Sequence, residues 1–295
     1  MIKHLTYPEI DFVKYEVCLA NAKQKNVFAR KEILDFLCES WELLVFNDYD
    51  YVMPLPFRRR LRQKFVTCPI FCQQLGIFGQ DDNSRVNEEF LQFTLKKFST
   101  YLYSFNAENT FNRALILRKN YSIPSGPYDV QRRKYSKGRK SAVKSAGHLQ
   151  FKKVEFNSDS LNFVSQFHKG LAKQSDLETM ISLMTFLVKK NMLRLYGAFL
   201  EGKLLTVAAI IDDGTAIYLL ALVSDEKFRK ENPASFLVDK ILEKYIENRS
   251  FSFMGSNVRS IGIFNSSFGA DLQEYPVIQF SKKELAASWL KSLVK

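Results

Sequence analysis

Between Leu193 and Phe280 apolar runs and turn signals alternate so closely that few folds remain open. Leu193 to Leu200 is apolar-rich and stops at the tight-turn pair Glu201-Gly202. Lys203 to Ile211 reads as a second strand, turned by Asp212-Asp213-Gly214. Thr215 to Val223 is nearly all apolar, the pattern of a central strand covered on both faces. Asn232-Pro233 then reads as an N-cap and first helical position. Phe236, Leu237, Ile241, Leu242 and Tyr245 recur at helical spacing up to about Asn248. Phe251 to Phe253 is a short strand ending at Gly255-Ser256-Asn257, Ile261 to Phe268 a brief helix, and Glu274 to Phe280 the last strand.

Phe253-Met254-Gly255-Ser256, then Phe264, Phe268-Gly269-Ala270 and Tyr275-Pro276, in this element order, resemble the GNAT superfamily of acyltransferases, and within it the Fem-type (FemAB-like) branch. The resemblance covers the C-terminal half. It implies two GNAT-like halves in one chain, because Fem-type proteins contain two.

The order of elements in the N-terminal half agrees. The pair Trp41 to Phe46 and Tyr51 to Leu55 matches the hairpin Tyr196 to Ile211. Leu75 to Phe78, the helix Asn87 to Phe98 and Tyr101 to Phe105 match the Thr215 strand, the Pro233 helix and Phe251 to Phe253. The expected fold class is α/β: two GNAT-like mixed-sheet units in tandem, each with helices on both faces of its sheet. The expected division is 1–120, an inter-domain helix at 121–147, and 148–295. Lys282 to Val294 reads as a terminal docking helix.

The inter-domain stretch opens with the hinge-like Ile123-Pro124-Ser125-Gly126-Pro127. Tyr128 to Ala146 reads as a helix, or as two short helices broken near Gly138. Arg133, Lys137, Lys140 and Lys144 fall on one basic stripe of that helix. The chain carries 43 Lys+Arg against 31 Asp+Glu, a net charge of +12 that suits polyanionic partners. A second basic run, Arg58-Arg59-Arg60 with Arg62 and Lys64, follows the N-terminal hairpin. The four residues of the stripe are candidate polyanion contacts; the alternative is a solvated helix face.

Other classes are excluded more simply. Cys18, Cys38, Cys68 and Cys72 have no paired metal spacing and read as buried hydrophobes or free thiols. No metal site is expected. Met1-Ile2-Lys3-His4 begins no signal-peptide core, and no run approaches about 20 apolar residues. The expectation is a cytoplasmic protein.

The resemblance also implies where chemistry would sit. GNAT enzymes bind coenzyme A at a Gly-rich turn before the core helix, patterned Arg or Gln, two residues, Gly, any residue, Gly or Ala. Here that stretch is Arg229-Lys230-Glu231-Asn232-Pro233-Ala234. Arg229 and Ala234 fit, Asn232 replaces the first Gly, and Pro233 has no N–H to donate. Acetyl-CoA is thereby disfavoured as donor against the aminoacyl-tRNA of the Fem-type branch. The expected activity is acyl or aminoacyl transfer to an amine by direct attack, with tRNA as a candidate partner. The rival is a non-catalytic or nucleic-acid-binding protein on a decayed GNAT scaffold. By the superfamily's pattern a backbone N–H near Leu222 would polarise the carbonyl, with Val223, Gly255, Ser256 and Asn257 beside it. Tyr218 and Tyr275 are the candidate acids, each alternatively a core or rim aromatic. None of the three histidines lies in the Leu193–Phe280 run, so no general base is evident.

Overall fold

The computed structural model describes residues 1–60, 63–171, 173–255, 257–281 and 283–285. The chain divides into two compact units, Met1–Arg118 with Glu274–Lys295, and Lys119–Gln273.

The first unit begins with β1 (Ile2–Leu5), α1 (Phe12–Asn21), α2 (Lys31–Leu37), β2 (Ser40–Phe46) and β3 (Tyr51–Arg60). It continues with β4 (Gln63–Thr67), β5 (Phe78–Gly79), α3 (Ser84–Lys97) and β6 (Thr100–Ser104). β1, β2, β3 and β4 form an antiparallel run. β4 then runs parallel to β6, with α3 as the crossover. Asn83 caps α3, its side chain accepting from the N–H groups of Arg85 and Val86. Phe90 and Leu91 of α3 are fully buried.

The second unit begins within β7 (Ile116–Ile123) and contains α4 (Tyr128–Arg133), α5 (Lys137–Ser145), β8 (Gln150–Val154), α6 (Ser158–Phe167) and α7 (Gln174–Lys189). It goes on through β9 (Leu193–Leu200), β10 (Lys203–Asp212), β11 (Ala216–Ser224), α8 (Pro233–Tyr245), β12 (Ser250–Ser252) and α9 (Arg259–Ser266). β8 to β11 form an antiparallel meander. β12 runs parallel to β11 after the α8 crossover, and pairs β7 on its other side. Leu237, Ile241 and Leu242 of α8 join Ala208, Ile210, Ile217 and Phe251 in one buried core.

Three expectations change. First, β13 (Asp271–Gln279) hydrogen-bonds to β6 through Val277–Gln279, so the C-terminal segment returns to the first unit. The inter-domain stretch belongs to the second unit. The compact units therefore differ from the expected 1–120, 121–147 and 148–295 at both places. Second, the strand matching β11 in the first unit is β4, because β4 is the one parallel to β6. Phe78 pairs instead with Val52 of β3. Third, Tyr128 to Ala146 is two helices, but the break falls at Lys134–Ser136. Ser136 caps α5 by accepting from the Arg139 N–H, and Gly138 lies inside the helix. Most of the expected terminal helix lies outside the described residues. Among those described, no helix is long and apolar enough to cross a membrane.

Candidate functional site

The ladder between β11 and β12 is short. Ala216, Ile217 and Tyr218 face Ser250, Phe251 and Ser252, and no parallel pairs follow. Two features turn the strands apart. On β11 the register to β10 slips, with Ala209 opposite Ala221 but Ile210 opposite Leu219, so Leu220 is an extra, bulged residue. After β12 the Phe253 N–H donates to the Tyr121 carbonyl, and the backbone turns left-handed at Met254 (φ +52°) and Gly255 (φ +100°). From Leu219 to Ser224, β11 is paired on the β10 side. Its other edge borders a cavity of about 900 Å³, where alternate backbone N–H and C=O groups can meet a ligand.

The cavity floor is the loop before α8 and that helix's first turn. Asn232 adopts the left-handed conformation (φ +56°), which Asn tolerates better than most residues. Its N–H donates to the Arg229 carbonyl. With Pro233 lacking an N–H, the first-turn donors left for a ligand are those of Ala234 and Ser235. Glu231 does not line the cavity; it accepts a hydrogen bond from His148 at 3.1 Å.

The opposite wall comes from the end of α6. Phe167, His168 and Lys169 line the cavity, and Lys169 reaches Glu226 at 3.5 Å. The His168 N–H closes α6 by donating to the Val164 carbonyl, which fixes the backbone at this position. Burial holds that imidazole below its ordinary pKa. Asp225 is buried and accepts from the Lys227 N–H, a loop cap rather than a free base.

The third wall holds Arg139 of α5, Phe264 and Asn265. The Arg139 guanidinium lies 4.3 Å from the ring centroids of both Phe264 and Phe268. Its Nε donates to Ser267 Oγ at 2.9 Å, and Nη1 donates to Ser235 Oγ. Burial lowers its pKa to about 10.

Residues 130–259 match the family model described as an acetyltransferase (GNAT) domain. No curated protein matches the chain by sequence. Three solved structures superpose over nearly the whole chain. One is titled the crystal structure of FemX, at 10% identity and TM-score 0.66, covering 92% of this chain and 96% of that one. A conserved protein of unknown function from Bacteroides thetaiotaomicron gives 9% and 0.60, covering 95% and 100%. A tandem GNAT protein from the clavulanic acid biosynthesis pathway gives 11% and 0.51, covering 94% and 97%. The fold is that of a Fem-like tandem GNAT protein.

On this GNAT scaffold the residues expected from sequence separate into three groups. Leu222, Val223, Arg229, Asn232, Ala234, Gly255 and Asn257 all line the cavity. Ser256 lies outside the described residues. The two candidate acids do not join them. Tyr218 sits on β11 before the bulge, and its hydroxyl donates to Asp213 Oδ2 at 3.2 Å, at the strand end where the ladder is closed. Tyr275 lies buried on β13 in the segment that belongs to the first unit. Neither is in the cavity lining, unlike the strand-end and loop residues.

Arg133 stands on α4, and Lys137, Lys140 and Lys144 on α5, so the stripe spans two helices. All four are exposed, and Lys140 Nζ donates to the Arg133 carbonyl at 2.7 Å. None of the four forms an ion pair among the described residues. The four cysteines are free thiols, and burial raises all of them, Cys18 to about 11 and Cys38 and Cys68 to about 12. They are poor thiolate nucleophiles.

His168, Lys169, Arg139 and Ser235 were not singled out from sequence. His168 precedes the Leu193–Phe280 run by 25 residues and reaches the cavity only because α6 packs against β11. For Arg139 the pattern of the segment is ambiguous. The helical stripe through Arg133, Lys137, Lys140 and Lys144 leaves Arg139 off its face, but it leaves the exposed Arg132 and Lys134 off it as well, so only the packing of α5 singles out Arg139.

Proposed function

We propose that this protein transfers an acyl or aminoacyl group to an amine, by direct attack, in the cavity of its second unit. The observation that carries the reading is the parting of β11 from β12 over the first turn of α8. The parting leaves the Leu219–Ser224 edge open along a cavity that reaches that turn. The acyl carbonyl lies against this edge, where a backbone N–H near Leu222 stabilises the developing oxyanion. His168 takes the proton that the amine loses as its nitrogen bonds to the carbonyl carbon, and the imidazolium returns it to the departing donor oxygen as the acyl–oxygen bond breaks. An imidazole held below its ordinary pKa is neutral, and so a base, at pH 7. Holding amine and carbonyl together in the cavity supplies the rest of the rate.

The donor follows from the floor. A pyrophosphate there would find two first-turn N–H groups, those of Ala234 and Ser235, since Pro233 has none and that of Asn232 is already bonded. This supports an aminoacyl-tRNA donor over acetyl-CoA. Arg133, Lys137, Lys140 and Lys144, exposed and without an ion pair among the described residues, suit the polyanion. The same four residues support the second reading, a nucleic-acid-binding protein that no longer catalyses.

The deciding experiment offers the full chain charged tRNA or acetyl-CoA with a panel of amines, and measures binding by calorimetry beside transfer of labelled acyl groups. Transfer from charged tRNA with acetyl-CoA affinity weaker than micromolar is expected. Micromolar acetyl-CoA binding with acetyl transfer would replace the donor. RNA binding without transfer from either donor would leave the second reading.

A further inference from the structure

Arg139 has more hydrogen-bonding capacity than its surroundings use. A guanidinium carries five N–H donors. One goes to Ser267 and one to Ser235, which leaves three. Both partners are neutral hydroxyls. No carboxylate among the described residues forms an ion pair with Arg139, and the group acting on its charge is the phenol of Tyr135. A half-buried cation without a counter-charge is costly, and the lowered pKa reflects that.

The side chain is nonetheless held in place. Two aromatic ring centroids lie 4.3 Å from its Cζ, and two serines fix Nε and Nη1. Stacking and a planar fork are what Arg offers and Lys does not. Ser235 is the third residue of α8, so Arg139 stands beside the two unfilled N–H groups of that helix's first turn. The carboxylates of the cavity are already committed, Asp225 to the Lys227 N–H and Glu226 to Lys169. A preorganised, desolvated fork over a large cavity is the arrangement that recognises a planar or tetrahedral oxyanion through two parallel N–H bonds.

We infer that Arg139, with Ser235 and the first turn of α8, is an oxyanion-group anchor, and that the molecule bound in this cavity carries a carboxylate or phosphate beside its reacting acyl or amine group. The inference rests on the reading of this cavity as the transfer site. It adds to the loop before α8, where Arg229 is the cation on the cavity and the Asn232 N–H is already bonded, a held side chain from the segment preceding the meander. At about 900 Å³ the cavity has room for both ends of such a ligand.

The test measures binding alone. Calorimetry on the full chain at low salt uses adenosine 3′,5′-bisphosphate as the phosphate probe and N-acetylglycine as the carboxylate probe. One probe class should bind. Arg139→Gln should weaken it at least tenfold, and Arg139→Lys nearly as much, because an ammonium cannot present the fork. Ser235→Ala should weaken it two- to fivefold, and Lys227→Gln, an exposed charge outside the cavity, less than twofold. Which probe binds identifies the oxyanion. Equal affinity in wild type and Arg139→Gln, or no binding of either probe to wild type, overturns the inference. If Arg139→Gln does not fold, unchanged binding in both Arg139→Lys and Ser235→Ala overturns it equally. Arg139-dependent binding in a protein that transfers nothing rejects the acyl-transfer reading and leaves the anchor standing.

Discussion

Tyr128→Phe removes one oxygen from a buried contact that ties α4 to α8, and its cost can be worked from the surroundings. The Tyr128 hydroxyl donates to Asp239 Oδ1 at 2.8 Å, and Asp239 is 1% exposed. Burial, the largest influence on this carboxyl, raises its pKa above the ordinary 3.8, opposed by the Tyr128 bond and by the Arg132 charge. At pH 7 the loss of a hydrogen bond to a buried charged acceptor costs about 1.5–3 kcal/mol. At about 2–4 °C per kcal/mol for a chain of this size, the melting temperature falls by about 3–12 °C. The pH dependence has a defined sign. A carboxyl whose folded pKa is raised contributes stability that is present below its unfolded pKa and is lost as pH rises through the folded value. Asp239→Asn keeps an acceptor for Tyr128 and carries no charge, so its stability relative to wild type should improve as pH rises from about 4 through the folded pKa, then level off. Thermal melts of both variants from pH 4 to 8 read this directly. A Tyr128→Phe melt within 1 °C of wild type at pH 7, with an Asp239→Asn gap that does not move with pH, would refute the account.

Replacing Arg133, Lys137, Lys140 and Lys144 together with Ala should weaken RNA binding and lower the slope of log affinity against log salt by up to about three; an unchanged slope in filter binding returns these residues to a solvated face. His168→Gln should lower kcat by about 10²–10⁴-fold. In wild type the rate should fall below a pKa under 6.5, where the imidazole becomes protonated, and that acid limb should vanish in the variant; a limb that persists assigns the proton to another group. Gly255→Val puts a branched side chain where φ is +100°, beside the cavity. Ligand binding should be lost, with a stability decrease smaller than the about 2–5 kcal/mol of a core truncation such as Leu237→Ala, measured by denaturant titration.

The elements of the second unit were legible because their signals are local. Asp212-Asp213-Gly214 turns β10 into β11, Asn232-Pro233 starts α8, and the spacing of Phe236, Leu237, Ile241 and Leu242 gives that helix one buried face. The cavity's strand-end and loop residues were legible for the same reason: a strand end, a left-handed turn and a helix start are written in consecutive residues. The resemblance on Gly255 and its neighbours pointed to the fold that brings them together.

Pairing was not legible, because strands join through backbone groups that every sequence carries. Nothing in Val277–Gln279 announces β6 as its partner, so Tyr275 was expected at the cavity and stands in the first unit. Alternation placed Tyr218 on β11 but could not say which end of the strand would stay zipped to β12. Leu220 reads like its apolar neighbours, and only the register against β10 makes it the bulge that helps open the cleft. His168 and Arg139 stand 65 and 94 residues before Pro233 and line one cavity with the start of α8 through packing alone. Local chemistry determined the elements and their order; long-range pairing and helix docking decided which side chains share the cavity.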